Sequence, residues 1–171
     1  LVLLLSLAAA PALVAAVGEA GRYLTAREFL DATFTEEIPA PATLWISGEL
    51  REAVEDFIGH PFASLRLRYW YDGETSAWIL DEIGKEKPIT IGVTVRDDAI
   101  VAIRILEFRE SRGWEVRYPF FTDQFRHAKL RANGHLDRNV DGITGATLSV
   151  AAVTRMARVA LLLHDTIKST D

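Results

Sequence analysis

The stretch Asp141-Gly142-Ile143-Thr144-Gly145-Ala146-Thr147-Leu148-Ser149 concentrates the residue types that can handle a phosphate. Thr144, Thr147 and Ser149 supply hydroxyls, any of which can cap a helix. Gly145 and Ala146 offer almost no side-chain bulk, so a ligand can approach the backbone closely. Asp141-Gly142 predicts a tight turn, because glycine takes positive φ at no steric cost. From Leu148 to about Ile167 runs an apolar, alanine-rich segment of helical character. The motif therefore falls at or just before a helix N-terminus, where free N–H groups and the macrodipole favour a phosphate.

The elements that must position this motif are legible upstream. Thr25-Ala26-Arg27-Glu28 has the form of a capping box and predicts a helix to about Phe34. Ile38-Pro39-Ala40-Pro41 reads as a loop. Ser47-Gly48-Glu49-Leu50 opens a second helix, with Leu50, Val54, Phe57 and Ile58 at helical spacing, and Gly59-His60-Pro61 ends it. Then come four strands: Leu65–Tyr71, Thr75–Ile83, Ile89–Val95 and Ala99–Phe108. Asp72-Gly73 and Asp97-Asp98 mark turns between them. The pattern predicts a meander with one face on the core. The segment from Phe108 to Phe125 is dense in aromatics, and Trp45, Trp70 and Trp78 read as core or strand-face residues.

Composition narrows the function classes. The chain has 171 residues, 49% hydrophobic and 25% charged, as expected of one globular domain. The absence of cysteine excludes disulfides, thiolate metal sites, iron–sulfur ligation and haem attachment through Cys-x-x-Cys-His. Net charge is -5, and no dense basic stripe suggests nucleic acid. Residues 109–138 nevertheless carry seven basic and four acidic side chains, a local balance of +3 that either complements an anionic ligand or forms a solvated patch. His60, His127, His135 and His164 lack ligand-like spacing, so no metal site is expected; His164 reads as a residue near a helix C-terminus, where capping is ordinary. No nucleophile-elbow, dinucleotide or Walker A pattern occurs.

Leu1 to Val17 is almost continuously apolar and carries small residues at Ala10-Pro11-Ala12 and Val14-Ala15-Ala16. It reads as the hydrophobic region and cleavage zone of a secretory signal, or as an uncleaved membrane anchor. The folded domain is then expected over residues 18–171, in the periplasm or an equivalent extracytoplasmic space.

The stretch Asp141–Ser149 resembles the flavinylation motif of the FMN-binding domain family. That family includes flavin-carrying components of the sodium-pumping NADH:quinone reductase and of the Rnf complex. Its pattern is Asp, Gly or Ala, any residue, Ser or Thr, Gly, Ala, Thr, often with Ser or Thr nearby, and every defined position is met here. The resemblance implies that Thr147 carries FMN through a phosphoester bond, installed from FAD by a flavin transferase. It implies that Asp141, Gly142, Thr144, Gly145, Ala146 and Ser149 shape the phosphate cradle. Arg109-Glu110-Ser111-Arg112-Gly113 is similar to a second element of the family, with Phe108 and Arg112 standing where the respiratory members have His and Pro. By that resemblance Glu110, Ser111 and Gly113 face the flavin ring or ribityl chain, and Trp114 stacks on it.

The expectation is an α+β fold: N-terminal helices, an antiparallel sheet and a C-terminal helix following the motif. The function implied is extracytoplasmic electron transfer through covalent FMN to redox partner proteins, some of them membrane-bound. A flavin-dependent reductase component acting on a small substrate, and a non-redox sensory or assembly domain, are the alternatives.

Overall fold

The computed structural model describes residues 21–169. The apolar Leu1–Val17 segment lies outside the described residues. The fold is α+β, built on a six-stranded antiparallel sheet. In chain order the elements are β1 (Gly21–Arg22), α1 (Ala26–Thr33), β2 (Ala42–Trp45), α2 (Gly48–Ile58), β3 (Arg66–Tyr71), β4 (Thr75–Ile83), β5 (Pro88–Arg96) and β6 (Ala99–Phe108). Two 3₁₀ turns, Trp114–Arg117 and Asp123–Phe125, flank the short α3 (Pro119–Thr122), and α4 (Thr147–Lys168) closes the fold.

The sheet order is β1-β6-β5-β4-β3-β2, so β3 to β6 form the expected meander. Two edge strands extend it. Gly21 pairs with Phe108 on one edge, and Trp45 pairs with Arg66 on the other. Neither edge strand is among those expected from the sequence. β1 has two residues, and β2 is a four-residue strand on which Trp45 is an exposed strand-face residue.

α1 begins as its capping box requires. The Thr25 hydroxyl accepts the Glu28 N–H at 3.1 Å, and the Glu28 carboxylate accepts the Thr25 N–H at 2.7 Å. Alternation along the strands sends successive side chains to opposite faces. Trp78, Ile91, Val93, Ile103 and Ile105 point into the main core with Val153, Met156, Ala157 and Ala160 of α4. Ala77 and Leu106 point the other way, into a second cluster with Phe29, Leu30 and Phe34. The expectation of a sheet with one buried face is thus corrected: α1 covers part of the second face, because its apolar side chains need a partner.

α4 is long and apolar enough to cross a membrane by length and composition, yet 56% of its apolar window is buried inside the fold. It is the core helix of this domain. His164 does not cap its end. The ring is fully buried, with Nδ1 2.8 Å from the Ser76 hydroxyl, which also accepts the Trp78 indole N–H at 2.8 Å.

Candidate functional site

Three segments far apart in sequence meet around a cavity of about 600 Å³. The β4–β5 turn brings Lys85, the loop after β6 brings Glu110, Ser111 and Arg112, and the start of α4 brings Gly145 to Ser149.

The turn that admits the chain to α4 is formed by Ile143 to Ala146, with the Ala146 N–H donating to the Ile143 carbonyl at 2.9 Å. Gly145 takes φ 82°, the left-handed conformation that L side chains resist. The sequence pattern places the glycine-dependent turn at Asp141-Gly142, but Gly142 has no positive φ. The Asp141 N–H instead donates to the Gln124 side-chain oxygen at 2.7 Å, which ties the motif to the preceding 3₁₀ turn.

Thr147 is the first residue of α4, and the N-cap Ala146 has no side chain that can cap it. The first intrahelical bond runs from the Val150 N–H to the Ala146 carbonyl at 2.9 Å. The N–H groups of Thr147, Leu148 and Ser149 therefore have no acceptor within the helix, as at any helix start. Ser149 does not cap the helix either. It is buried, 4% exposed, and packs against Gly113.

The motif's hydroxyls now separate. Ser149 is buried, Thr144 is exposed but off the cavity wall, and Thr147 is both exposed and on the wall.

Glu110 is held in an unexpected way. One of its carboxylate oxygens accepts the backbone N–H groups of Lys85, Glu86 and Lys87 at 2.5, 2.6 and 2.8 Å. Burial by itself would raise its pKa, but these backbone donors outweigh burial and hold the carboxyl below the ordinary glutamate range. Glu110 thus shapes the wall by fixing the β4–β5 turn, and that turn carries Lys85 to the cavity.

Lys85 and Arg112 face the same space as Thr147, and sequence reasoning does not single them out. Arg112 occupies the variable position of the Glu-Ser-x-Gly element, and Lys85 is brought in only by the tertiary fold. Positive charge at a helix start adds to the helix dipole in favouring an anion.

Trp114 does not line the cavity. Its ring meets Tyr118 edge-on at 5.7 Å, and the Arg117 guanidinium lies 5.2 Å from it, 4.9 Å from Tyr118 and 4.4 Å from Tyr23. Asp141, Gly142 and Thr144 also stand off the wall. Among the described residues no group of three or more His, Asp or Glu side chains could hold a metal ion.

The family model of the FMN-binding domain matches residues 84–162. That stretch is similar to the FMN-binding domain family. The matched stretch starts at the turn that Glu110 holds and runs through the motif into α4, so it contains every segment of the cavity wall. A comparison with curated proteins finds no match.

The residues present suit a flavin mononucleotide. A cavity of this size falls within the range of small-molecule sites, and the uncapped helix start with Lys85 and Arg112 suits its phosphate.

Proposed function

We propose that this chain is an electron-transfer flavoprotein that carries FMN on Thr147 through a phosphoester bond. The observation that carries the reading is the position of the Thr147 hydroxyl. It stands at the mouth of α4, exposed, on the wall of a cavity that also holds Lys85 and Arg112.

When bound, the flavin supplies the redox chemistry, in one- or two-electron steps, while the protein supplies attachment, orientation and electrostatics. The N–H groups of Thr147, Leu148 and Ser149 hold the phosphate, assisted by Lys85 and Arg112. Gly145 keeps the backbone free of side-chain bulk at the approach. Glu110 keeps the opposite wall in place. An exposed Thr147 is reachable by a flavin transferase using FAD, where the Thr147 oxygen would bond to the FMN phosphorus as the phosphoanhydride bond breaks and AMP leaves. The apolar Leu1–Val17 segment supports export or membrane attachment, and with it an extracytoplasmic site of action. Redox partner proteins then supply and remove the electrons.

The test is in-gel flavin fluorescence of denatured protein, with peptide mass spectrometry, after co-expression with a flavin transferase. Fluorescence in the parent and in Thr144→Ala, and none in Thr147→Ala, is expected. A parent that stays dark beside an active transferase overturns covalent attachment, and a fluorescent Thr147→Ala overturns the assignment of the residue.

A further inference from the structure

The basic segment at residues 109–138 sends only Arg112 to the flavin cavity. Arg109 is paired with Glu107 at 2.7 Å, Arg126 with Asp123 at 3.0 Å, and Arg117 lies among aromatic rings. Arg131 and Arg138 go elsewhere. With Arg158 of α4 and His135 they line a second cavity, of about 400 Å³, whose wall contains no carboxylate. Asn133, Asn139 and Thr154 complete its polar lining.

Arg158 is the informative member. It is half-buried and is paired with no carboxylate among the described residues. Its guanidinium donates to the Gly134 carbonyl at 2.6 Å and the Phe57 carbonyl at 3.2 Å, and lies 4.4 Å from the Phe57 ring centre. These contacts orient the fork without neutralising it. Burial, with repulsion from Arg155, holds its pKa below the ordinary arginine value. A desolvated cation without a counter-charge is costly unless something anionic completes it.

The other arginines also keep donors in reserve. A guanidinium has five N–H donors. Arg131 gives one to the Asp137 carbonyl at 2.9 Å. Arg138 gives two to the Arg126 and His127 carbonyls, at 2.6 and 3.0 Å, and a long one to the Asp137 carboxylate at 3.4 Å. The larger neighbouring cavity, about 1040 Å³, shares Arg131, His135 and Arg158 but adds Asp56, Asp98 and Asp165. Those aspartates, and Asp137 beside Arg138 and Arg131, offset part of the positive charge; the smaller cavity is the one whose wall carries arginines and no carboxylate.

We propose that the cavity lined by Arg131, His135, Arg138 and Arg158 binds a small multivalent oxyanion of the phosphate class. Planar guanidinium forks match the oxygens of a tetrahedral oxyanion, and the asparagine amides add neutral donors. The site is separate from the flavin cavity and does not depend on the flavin reading.

The experiment is calorimetric titration of the full chain with inorganic phosphate and pyrophosphate at constant ionic strength set by chloride. Saturable binding is expected in the parent. Arg131→Gln, which loses only one exposed carbonyl contact, is expected to weaken it at least tenfold, as is Arg158→Gln. Arg66→Gln, a charge control on β3, is expected to bind as the parent does. Should Arg158→Gln fail to fold, Arg131→Gln decides the matter alone. Heat no greater than that of chloride overturns the proposal. So does binding that survives Arg131→Gln, or that is lost in Arg112→Gln with Arg131→Gln unaffected, which would put the anion in the flavin cavity.

Discussion

A Cβ placed on Gly113 would stand 2.4 Å from the Ser149 hydroxyl oxygen and 3.1 Å from the Ser149 Cβ. The loop after β6 and the first turn of α4 therefore touch backbone to side chain, and the two sequence elements form one wall because position 113 has no side chain. Gly113 also has φ 88°, where an L side chain is strained.

Gly113→Ala is expected to destabilise the domain by about 2–4 kcal/mol, about 1 from left-handed strain and the rest from overpacking. Adding Ser149→Ala removes the nearest atom and leaves the strain. The double variant is expected to recover about 1 kcal/mol, a coupling typical of residues in contact. Urea denaturation of both single variants and the double variant measures it, and strict additivity would disprove the contact.

The Glu110 carboxylate yields a pH prediction. Its folded pKa lies below the ordinary value because backbone donors outweigh burial. A depressed carboxylate contributes stability that is present above the unfolded pKa and is lost as pH falls through the folded one. Stability of the parent is thus expected to fall as the solution is acidified below the ordinary glutamate range. Glu110→Gln keeps one acceptor oxygen but no charge, so it is expected to lower stability by about 2 kcal/mol at neutral pH and to flatten that acid dependence. Denaturation from neutral pH downwards tests both parts, and an unchanged acid slope would remove Glu110 from the explanation.

Glu82 gives a second pH prediction of opposite sign. Its side chain is 2% exposed and is held by Arg155 at 2.8 Å and by His60 Nε2 at 2.9 Å. The bond to Glu82 raises the His60 pKa, followed in size by the bond to the Pro61 carbonyl. A raised histidine contributes stability that is complete below its unfolded pKa and is lost as pH rises through the folded one. Arg155→Ala leaves His60 as the only side-chain partner of a buried carboxylate among the described residues. It is expected to cost about 3 kcal/mol and to make stability fall more steeply from slightly acid to slightly alkaline pH. Equal losses at both ends would show that His60 does not support Glu82.

Much of the fold is legible in the sequence because its signals are local. The Thr25–Glu28 capping box, the Asp72-Gly73 turn and the alternation along β3 to β6 each act within a few residues. β2 is not legible, since Ala42–Trp45 is an edge strand defined by its pairing with β3 and not by an apolar pattern. The same limit applies at the site. The motif points to a helix start and a phosphate, but the choice between Gly142 and Gly145 as the left-handed residue depends on a turn that only the structure displays. Lys85 has no sequence signal, because its place on the wall depends on Glu110 gripping the turn that carries it. The basic segment is visible as a charge balance, yet its partition between two cavities follows from the path of the loop over α4.

The two cavities are expected to differ in function. If the space beside Thr147 holds the FMN phosphate, its positive charge should matter to loading and that of the other cavity should not. Lys85 is exposed, 3.6 Å from Glu86, so part of its charge is screened. Arg112 has no such partner among the described residues and should contribute more. Arg112→Glu places a negative charge where a phosphate must enter, and an exposed charge at that range is worth about 1 kcal/mol or somewhat more. Flavin occupancy under limiting transferase is expected to drop about tenfold in Arg112→Glu, equivalent to about 1.4 kcal/mol. Lys85→Glu should lower it less, and Arg131→Glu should leave it unchanged. Flavin absorbance per protein, read with in-gel fluorescence on the same samples, gives the occupancy. Equal loading in Arg112→Glu and the parent would remove Arg112 from the phosphate site, and a drop in Arg131→Glu alone would move the phosphate to the other cavity.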